Sequence, residues 1–323
     1  MGVALKVAFD TTPLRLTRAG TARYVTSLLP RLGRVRTIGF GGAGRLSVGV
    51  RELAWYPIAL SLLRDADVLH CPTYYGPLRP RVPTVVTVHD LAVLRHPSAF
   101  PAWTRTYVPH VTPSVLHAAT RVIAVSEFTA TELESLAGVS RARVRVVPNA
   151  VDHSVFTSEG PRADGDYVLA VGTLEPRKNL ERTIAATARL GIELRVAGET
   201  GWGGVRARGS HVRALGFVDD LELARLYRGA LCVAYPSLYE GFGIPVLEAM
   251  ACGAAVVTSR GGACSEVADG AAELVDPLDV QAIADGIEAA IAKGRGRGLE
   301  RAAQFTWDAT ARLTREVYDE AAA

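Results

Sequence analysis

Lysine is almost missing from this chain of 323 residues: of 36 basic side chains only Lys6, Lys178 and Lys293 are lysines, and the other 33 are arginines. Genome composition produces skews of this kind. It also singles out each remaining lysine as a position where arginine will not do, because a compact ammonium and a planar guanidinium are not interchangeable. Long hydrophobic runs are missing too: no stretch approaches the ~20 uncharged apolar residues that a membrane-spanning helix needs. The start has no basic segment ahead of an apolar run, so no signal peptide is expected. The four cysteines (71, 232, 252 and 264) form no CxxC or Cys/His spacing, which argues against a disulfide framework or a zinc site. The expectation is a cytoplasmic protein. What is present, 49% hydrophobic and 21% charged residues with 31 Gly and 17 Pro, describes an ordered globular chain of one large or two medium domains.

Charge is unevenly placed. Residues 1–158 carry 18 Lys/Arg against 9 Asp/Glu, net +9, and residues 159–323 carry 18 against 24, net −6. Two domains of opposite sign attract each other; a basic half also suits an anionic partner or a membrane surface.

Short apolar segments at 6–10, 36–40, 67–70, 84–89, 121–125 and 143–147 read as strands, with helical patterns between them such as 21–32. Strands this apolar indicate a parallel sheet covered on both faces. Segment 157–166 is polar, contains Gly and Pro, and has no periodicity, so it reads as a linker. The alternation restarts with strands at 167–172, 193–197, 231–235 and 255–258 and helices at 179–190, 221–229, 245–252 and 280–293. Arg295-Gly-Arg-Gly298 is a flexible joint before a last helix. The expected fold is α/β: two doubly wound, Rossmann-like domains, 1–158 and 159–323, with the last helix (about 305–320) a candidate to pack back on the first. Ligands of such folds bind beyond the C-terminal strand ends, so the cleft between the domains is the expected site.

Some motifs mislead. Gly39-Phe-Gly-Gly-Ala-Gly44 spells the dinucleotide fingerprint but follows the second strand. Residues 45–50 do not look like a helix start, and no acidic residue closes a strand about twenty residues on, as the fingerprint requires. Asp65-Ala-Asp67 and Asp164-Gly-Asp166 spell DxD, a metal-holding pattern in some sugar-transfer enzymes, but lie at a helix end and in the linker, where carboxylates cap and turn. No metal or other cofactor is expected.

Two blocks carry chemistry. In Tyr235-Pro-Ser-Leu-Tyr-Glu240-Gly-Phe-Gly243-Ile-Pro-Val-Leu-Glu248-Ala-Met-Ala-Cys-Gly253 a strand runs into a Gly-containing loop and then a helix. Main-chain N–H groups of that loop can bind hydroxyl or phosphate oxygens, and Gly241 and Gly243 permit close approach. Glu240 and Glu248 are spaced to lie along one ligand. In Val171-Gly-Thr-Leu-Glu-Pro-Arg177-Lys178-Asn179-Leu two cations stand at a helix start, against the macrodipole's preference for acids. An anion such as a diphosphate resolves that conflict.

Together these blocks resemble the retaining GT-B glycosyltransferases of glycosyltransferase family 4. The resemblance extends to Gly20-Thr-Ala-Arg-Tyr24, Val88-His89-Asp90, Ala124-Val-Ser126, Val147-Pro-Asn149-Ala-Val-Asp152 and Gly216-Phe-Val218. It implies two facing domains that transfer a hexosyl group (mannose, glucose or GlcNAc type) from a UDP- or GDP-sugar to a hydroxyl acceptor, with retention and without a metal. By similarity, Glu240 and the main chain of Phe242, Gly243 and Ile244 hold the donor sugar's hydroxyls. Glu248 accepts from the ribose, Arg177 and Lys178 neutralise the diphosphate with Gly20 and Thr173 nearby, and Phe217 and Val218 frame the base. His89 contacts the transferring sugar, while His70, also at a strand end, carries a structural or a functional reading equally well. Many relatives have Arg where Thr173 stands and Pro where Ser265 stands, so the phosphate charge falls to Arg177 and Lys178 and the 261–265 loop is shaped differently. The acceptor, which the resemblance assigns to the first domain, is left open: an anionic or lipid-linked glycan, a phospholipid or a small natural product all fit, with peripheral membrane contact through the basic half and no role for nucleic acid. A nucleotide-sugar 2-epimerase or hydrolase, and a non-catalytic nucleotide-sugar-binding subunit, are the alternatives.

Overall fold

The computed structural model describes residues 5–15, 20–41, 45–97, 100 and 102–323. The chain divides into two units, Met1–Asn149 with Trp307–Ala323, and Ala150–Thr306. Each is an α/β unit built on a parallel sheet, as the strand pattern led us to expect; both sheets have six strands, two more than the four read from the sequence in the second half.

The first unit holds β1 (Val7–Asp10), α1 (Gly20–Leu28), β2 (Val35–Ile38), α2 (Arg45–Val50), β3 (Val68–Cys71), β4 (Thr84–Val88), α3 (Ala92–Arg95), α4 (Ala102–Ala118), β5 (Arg121–Ala124), α5 (Glu127–Ala137) and β6 (Val144–Val146). The sheet order is β2-β1-β3-β4-β5-β6. β1, β3 and β4 are buried along their whole length, which is why they read as unbroken apolar runs.

Residues 45–50 are helical after all. α2 runs on into wide π-type turns over Arg51–Ala59, and the element is held by packing rather than propensity: Trp103 Nε1 and Tyr107 OH of α4 donate to Glu52 Oε2 and to the Glu52 carbonyl, both at 2.5 Å. Gly42, Ala43 and Gly44 of the fingerprint-like segment, residues 16–19 ahead of Gly20, and residues 1–4 lie outside the described residues.

The last helix, α12 (Trp307–Ala322), belongs to the first unit. Its Tyr318 hydroxyl is 2.6 Å from His70 Nδ1, Thr310 Oγ1 donates to the Pro148 carbonyl at 2.8 Å, and Glu320 pairs with Arg121 and Arg145.

The second unit holds β7 (Tyr167–Val171), α6 (Leu180–Leu190), β8 (Glu193–Ala197), β9 (Val212–Gly216), α7 (Asp220–Gly229), β10 (Cys232–Tyr235), α8 (Ile244–Ala251), β11 (Val256–Ser259), α9 (Gly262–Ala268), β12 (Glu273–Val275), α10 (Val280–Lys293) and α11 (Leu299–Ala303). Its order is β12-β11-β10-β7-β8-β9. Residues 150–158, read from the sequence as the end of the first domain, group with this unit: the Phe156 ring packs edge-on against Tyr227, and Arg228 donates to the carbonyls of Thr157 and Pro161.

In both sheets the chain reverses direction of growth beside its first strand, between β1 and β3 in one and between β7 and β10 in the other. At such a switch point the connections leave to opposite faces and open a crevice beyond the strand ends.

Candidate active site

The two chemistry-bearing blocks begin at the switch point of the second sheet, one after β7 and one after β10. Gly172 and Gly198, which follow β7 and β8, approach so closely that a Cβ on Gly198 would lie 1.9 Å from the Gly172 carbonyl oxygen. The loop after β7 is then pinned to the loop after β8, with Leu174 N donating to Glu199 O and Gly201 N to Leu174 O. This fixes where Thr173, Arg177 and Lys178 can stand.

Arg177 and Lys178 occupy a short 3-10 turn, Pro176–Lys178, ahead of α6. Asn179 takes a left-handed conformation (φ 59°), and its side chain does not cap the helix. Instead Nδ2 donates to the carbonyls of Pro236 (2.9 Å) and Pro277 (2.6 Å), tying the turn to the end of β10. Ser237 Oγ and Leu238 N both reach the Arg177 carbonyl, so the two blocks are sewn together through the main chain.

The charge conflict read from the sequence is met inside the fold. Glu240 Oε2 accepts from Arg177 Nη1 at 2.9 Å, and Oε1 accepts from Lys178 Nζ (2.6 Å), Tyr235 OH (2.9 Å) and Ser237 Oγ (2.7 Å). Glu175 supplies a second carboxylate beside Arg177 Nε. Burial alone would raise the Glu240 pKa; Lys178 and Arg177 override it and bring it to about 2. The carboxylate shared by both cations, Glu240, lies some sixty residues away in the chain, and inspection of 171–180 alone could offer only Glu175.

Phe242 turns its ring into the interior, edge-on to Phe305 at 5.8 Å, and leaves its main chain to the loop. Gly243 adopts φ 101° at the start of α8, and a Cβ there would meet Cys264 Sγ at 2.9 Å, so glycine is required. Ile244 opens the helix, and Glu248, one turn on, is buried and accepts from Tyr227 OH at 3.2 Å. Following β9, Phe217 is 63% exposed and Val218 is half-buried beside it. The structure therefore gathers Arg177, Lys178 and Glu240 into one cluster at the switch point, with Gly243 closing the loop beside it. Tyr235, Ser237 and Asn179 complete the cluster. Sequence reasoning missed them because hydroxyls and a loop Asn carry no distinctive spacing.

The remaining sequence candidates lie in the first unit. His89 follows β4, its Nε2 donating to the Pro72 carbonyl at 3.0 Å and its ring edge-on to Tyr24 at 4.8 Å. Burial lowers its pKa, so the ring is neutral at pH 7, and the Pro72 bond fixes the proton on Nε2 and leaves Nδ1 an acceptor. Gly20 opens α1, where a Cβ would meet nothing within 4 Å among the described residues. His70 is fully buried, with Nδ1 on Tyr318 OH and Nε2 2.8 Å from Thr87 Oγ1, and burial first and then His89 push its pKa down to about 3. That is a structural histidine.

The two DxD sequences are occupied by structural work or sit exposed. Asp67 accepts from Lys6 N at 2.7 Å and Asp65 pairs with Arg36 at 3.0 Å, while Asp164 and Asp166 lie exposed in the linker. All four cysteines are buried free thiols, and burial raises the pKa of each.

Residues 16–155 match the family described as Glycosyltransferase Family 4, and residues 154–309 match Glycosyl transferases group 1. An O-antigen chain mannosyltransferase B of Escherichia coli is 30% identical, with 94% of this chain and 97% of that protein covered. A D-inositol 3-phosphate glycosyltransferase of Mycolicibacterium smegmatis is 34% identical over 70% of this chain and 59% of its own length. Among solved structures, sucrose-phosphate synthase from Thermosynechococcus elongatus shares the fold over 98% of this chain and 99% of its own, with a TM-score of 0.78 at 22% identity. Anabaena HepE, solved in complex with UDP and glucose, does so over 98% and 100%, with a TM-score of 0.75 at 18% identity.

Proposed function

The chain belongs to the group 1, family 4 glycosyltransferases, and from that premise we propose that it moves a hexosyl group, of mannose type, from a nucleotide-diphosphate sugar to a hydroxyl acceptor with retention at the anomeric carbon. The observation that carries this reading is the Arg177–Lys178–Glu240 cluster at the switch point of the second sheet. The choice of mannose rests on the mannosyltransferase name of the relative that aligns over 94% of this chain.

In this reading the two cations stabilise the charge that develops on the leaving diphosphate, and the main-chain N–H groups of Phe242, Gly243 and Ile244 bind the donor sugar's oxygens. Glu240 aims Arg177 and Lys178, and its Oε2, which accepts from Arg177 while the other three donors meet Oε1, keeps acceptor capacity for a hydroxyl of the donor sugar. Glu248, steadied by Tyr227, accepts from the ribose, and the exposed ring of Phe217 with Val218 frames the base. In the first unit His89 Nδ1, left an acceptor by the bond to Pro72, suits a sugar hydroxyl, and Gly20 opens α1 with free space beside it among the described residues. The C1–O bond to phosphate breaks as the acceptor oxygen bonds C1 on the same face, and the acceptor proton passes to the released phosphate oxygen. The protein supplies charge and position, and no resident metal is invoked.

Nucleotide release with and without candidate acceptors tests the reaction class: a transferase needs the acceptor, whereas an epimerase or hydrolase releases nucleotide without one. Melting-temperature shifts with GDP-mannose against UDP-glucose and UDP-GlcNAc test the donor, since a bound ligand stabilises by mass action. A larger shift with a UDP-sugar would overturn the mannose assignment.

We place peripheral contact with anionic lipid on the first unit. Leu53, Ile58 and Leu62 are each more than half exposed along the helix that follows α2. The unit itself carries 20 Lys/Arg against 12 Asp/Glu, net +8.

A further inference from the structure

Lys178 is one of three lysines in a chain that otherwise uses arginine, and the end of β10 shows what its ammonium meets there. Tyr235 is the last residue of β10 and is 3% exposed. Its main chain is fixed from the neighbouring strand, where Thr258 pairs with it in register and Thr258 Oγ1 donates to its carbonyl at 3.0 Å. The Tyr235 hydroxyl stands between two charges: it accepts from Lys178 Nζ at 2.5 Å and donates to Glu240 Oε1 at 2.9 Å. Lys178 Nζ also donates to Glu240 Oε1 at 2.6 Å, so ammonium, phenol and carboxylate oxygen close a triangle. The stem of Lys178 lies along Gly172, where a Cβ would meet Cε at 3.3 Å and Cδ at 3.5 Å.

An ammonium carries three N–H donors on a flexible stem. Held by one acceptor, it turns about that bond and its other donors point nowhere in particular. Held by two acceptors at fixed places, it has a single direction left for the third. Glu240 Oε1 is the first acceptor, and Tyr235 supplies the second from a strand end, which holds an atom more firmly than a loop does. Burial, and then the charge of Glu240, push the Tyr235 pKa well above its ordinary value, so the phenol keeps its proton as a donor to Glu240 and its lone pair for Lys178. The Lys178 side chain is 14% exposed, and its third N–H meets no acceptor among the described residues. A guanidinium, with its planar fork of donors, cannot be directed in this way.

We propose that Tyr235 is a positioning residue, which together with Glu240 directs the third N–H of Lys178 at the outer phosphate of a nucleoside diphosphate. The proposal rests on the reading of this site as one for a nucleotide-diphosphate sugar. Tyr235 touches no substrate in it and acts through Lys178 alone. Without the hydroxyl the charge of Lys178 remains, but the ammonium is free to turn on Glu240 Oε1 and its third donor loses its aim. The outer phosphate is the one that carries the sugar and takes up the charge when the C1–O bond breaks. Loss of aim therefore weakens the hold on a diphosphate and leaves a monophosphate almost untouched.

Titration calorimetry of the full chain tests it, with GDP and UDP as diphosphates and GMP and UMP as the matching monophosphates. Tyr235→Phe keeps the ring and removes the hydroxyl, and its melting transition reports folding. It should weaken binding of the preferred diphosphate by about tenfold and of the monophosphate by no more than about twofold. In a Lys178→Ala background the same substitution should change diphosphate affinity by no more than about twofold, because the group that Tyr235 directs is gone. Lys178→Arg keeps the charge and should lose as much diphosphate affinity as Tyr235→Phe; it decides the matter should Tyr235→Phe fail to fold. Equal weakening of both nucleotide classes, losses that add in the double variant, or wild-type diphosphate affinity in Tyr235→Phe or Lys178→Arg overturns the proposal. If the affinities follow the expected pattern while nucleotide release proves independent of acceptor, the assignment of Tyr235 stands and the transferase reading falls. No diphosphate binding by the wild type overturns both.

Discussion

At Glu240 burial and pairing pull in opposite directions, and pairing wins: a carboxylate that burial would neutralise is held ionised by Lys178 and Arg177, at a pKa of about 2. A carboxyl whose pKa is lower folded than unfolded adds stability above the ordinary value, and that stability is lost as pH falls toward the folded one. A drop from 4.5 to about 2 corresponds to about 3 kcal/mol. Glu240→Gln should therefore destabilise the protein by about 3 kcal/mol at pH 7, and by progressively less between pH 4.5 and pH 2. Urea unfolding across that range checks this; a constant or absent difference contradicts it. Asp10 has the opposite sign. Burial raises its pKa from 3.8 to about 6 despite the bonds from Thr12, so its ionisation costs stability as pH rises. Asp10→Asn should gain on wild type by about 2 kcal/mol between pH 4 and pH 7. Comparing the two proteins cancels the contribution of His70, whose lowered pKa makes acid destabilising.

At the scale of elements, α12 is held to the first sheet by a buried polar chain running from Tyr318 OH through His70 to Thr87 Oγ1, which also lies 3.3 Å from Tyr24 OH. Tyr318→Phe leaves His70 Nδ1 buried without its partner and should cost about 1–3 kcal/mol. Hydrogen exchange across 307–322 should rise if the helix depends on that bond, and unchanged protection would show that apolar packing alone holds it. The helix itself is legible in sequence, because its amphipathic pattern follows a glycine-rich joint, and so is its candidacy to pack on the first domain. The side chain it meets is not, since His70 lies 248 residues away. Strands such as β3 and β4 declare themselves because both faces are buried. β9 and β12 do not: Arg213 and Ala214 are exposed on an edge strand, and β12 has only three residues. Residues 45–50 fail for another reason, since Gly49 and two valines weaken helix propensity locally while the adjoining Glu52 is gripped by α4. The glycine- and charge-bearing blocks at 171–180 and 235–253 are legible because main-chain binding demands glycines at fixed places. Tyr235 and Ser237 are not, because their meaning lies in which buried atom each one faces.

For the whole molecule, the charge asymmetry survives the assignment of α12 to the first unit, which keeps net +8 against −5 for the second. The more acidic unit nonetheless carries the cations expected to meet a diphosphate, so local placement outranks domain totals. The basic unit should sediment with vesicles containing anionic lipid at low salt and be released as salt screens the attraction. Leu53→Ser together with Ile58→Ser should weaken that binding without altering nucleotide affinity. Equal, salt-insensitive binding to neutral vesicles contradicts the lipid-surface reading. No helix among the described residues is long and apolar enough to cross a membrane.

The central claim is that Arg177 and Lys178, aimed by Glu240, drive sugar transfer from a nucleotide diphosphate. Its most direct measurement is the kcat for acceptor-dependent nucleotide diphosphate release by wild type and Lys178→Ala, with a folded variant confirmed by its melting transition. A preorganised charge at a leaving group is worth about 3–4 kcal/mol, so turnover should fall by roughly 100-fold or more in the variant. A kcat within a few-fold of wild type would contradict the account.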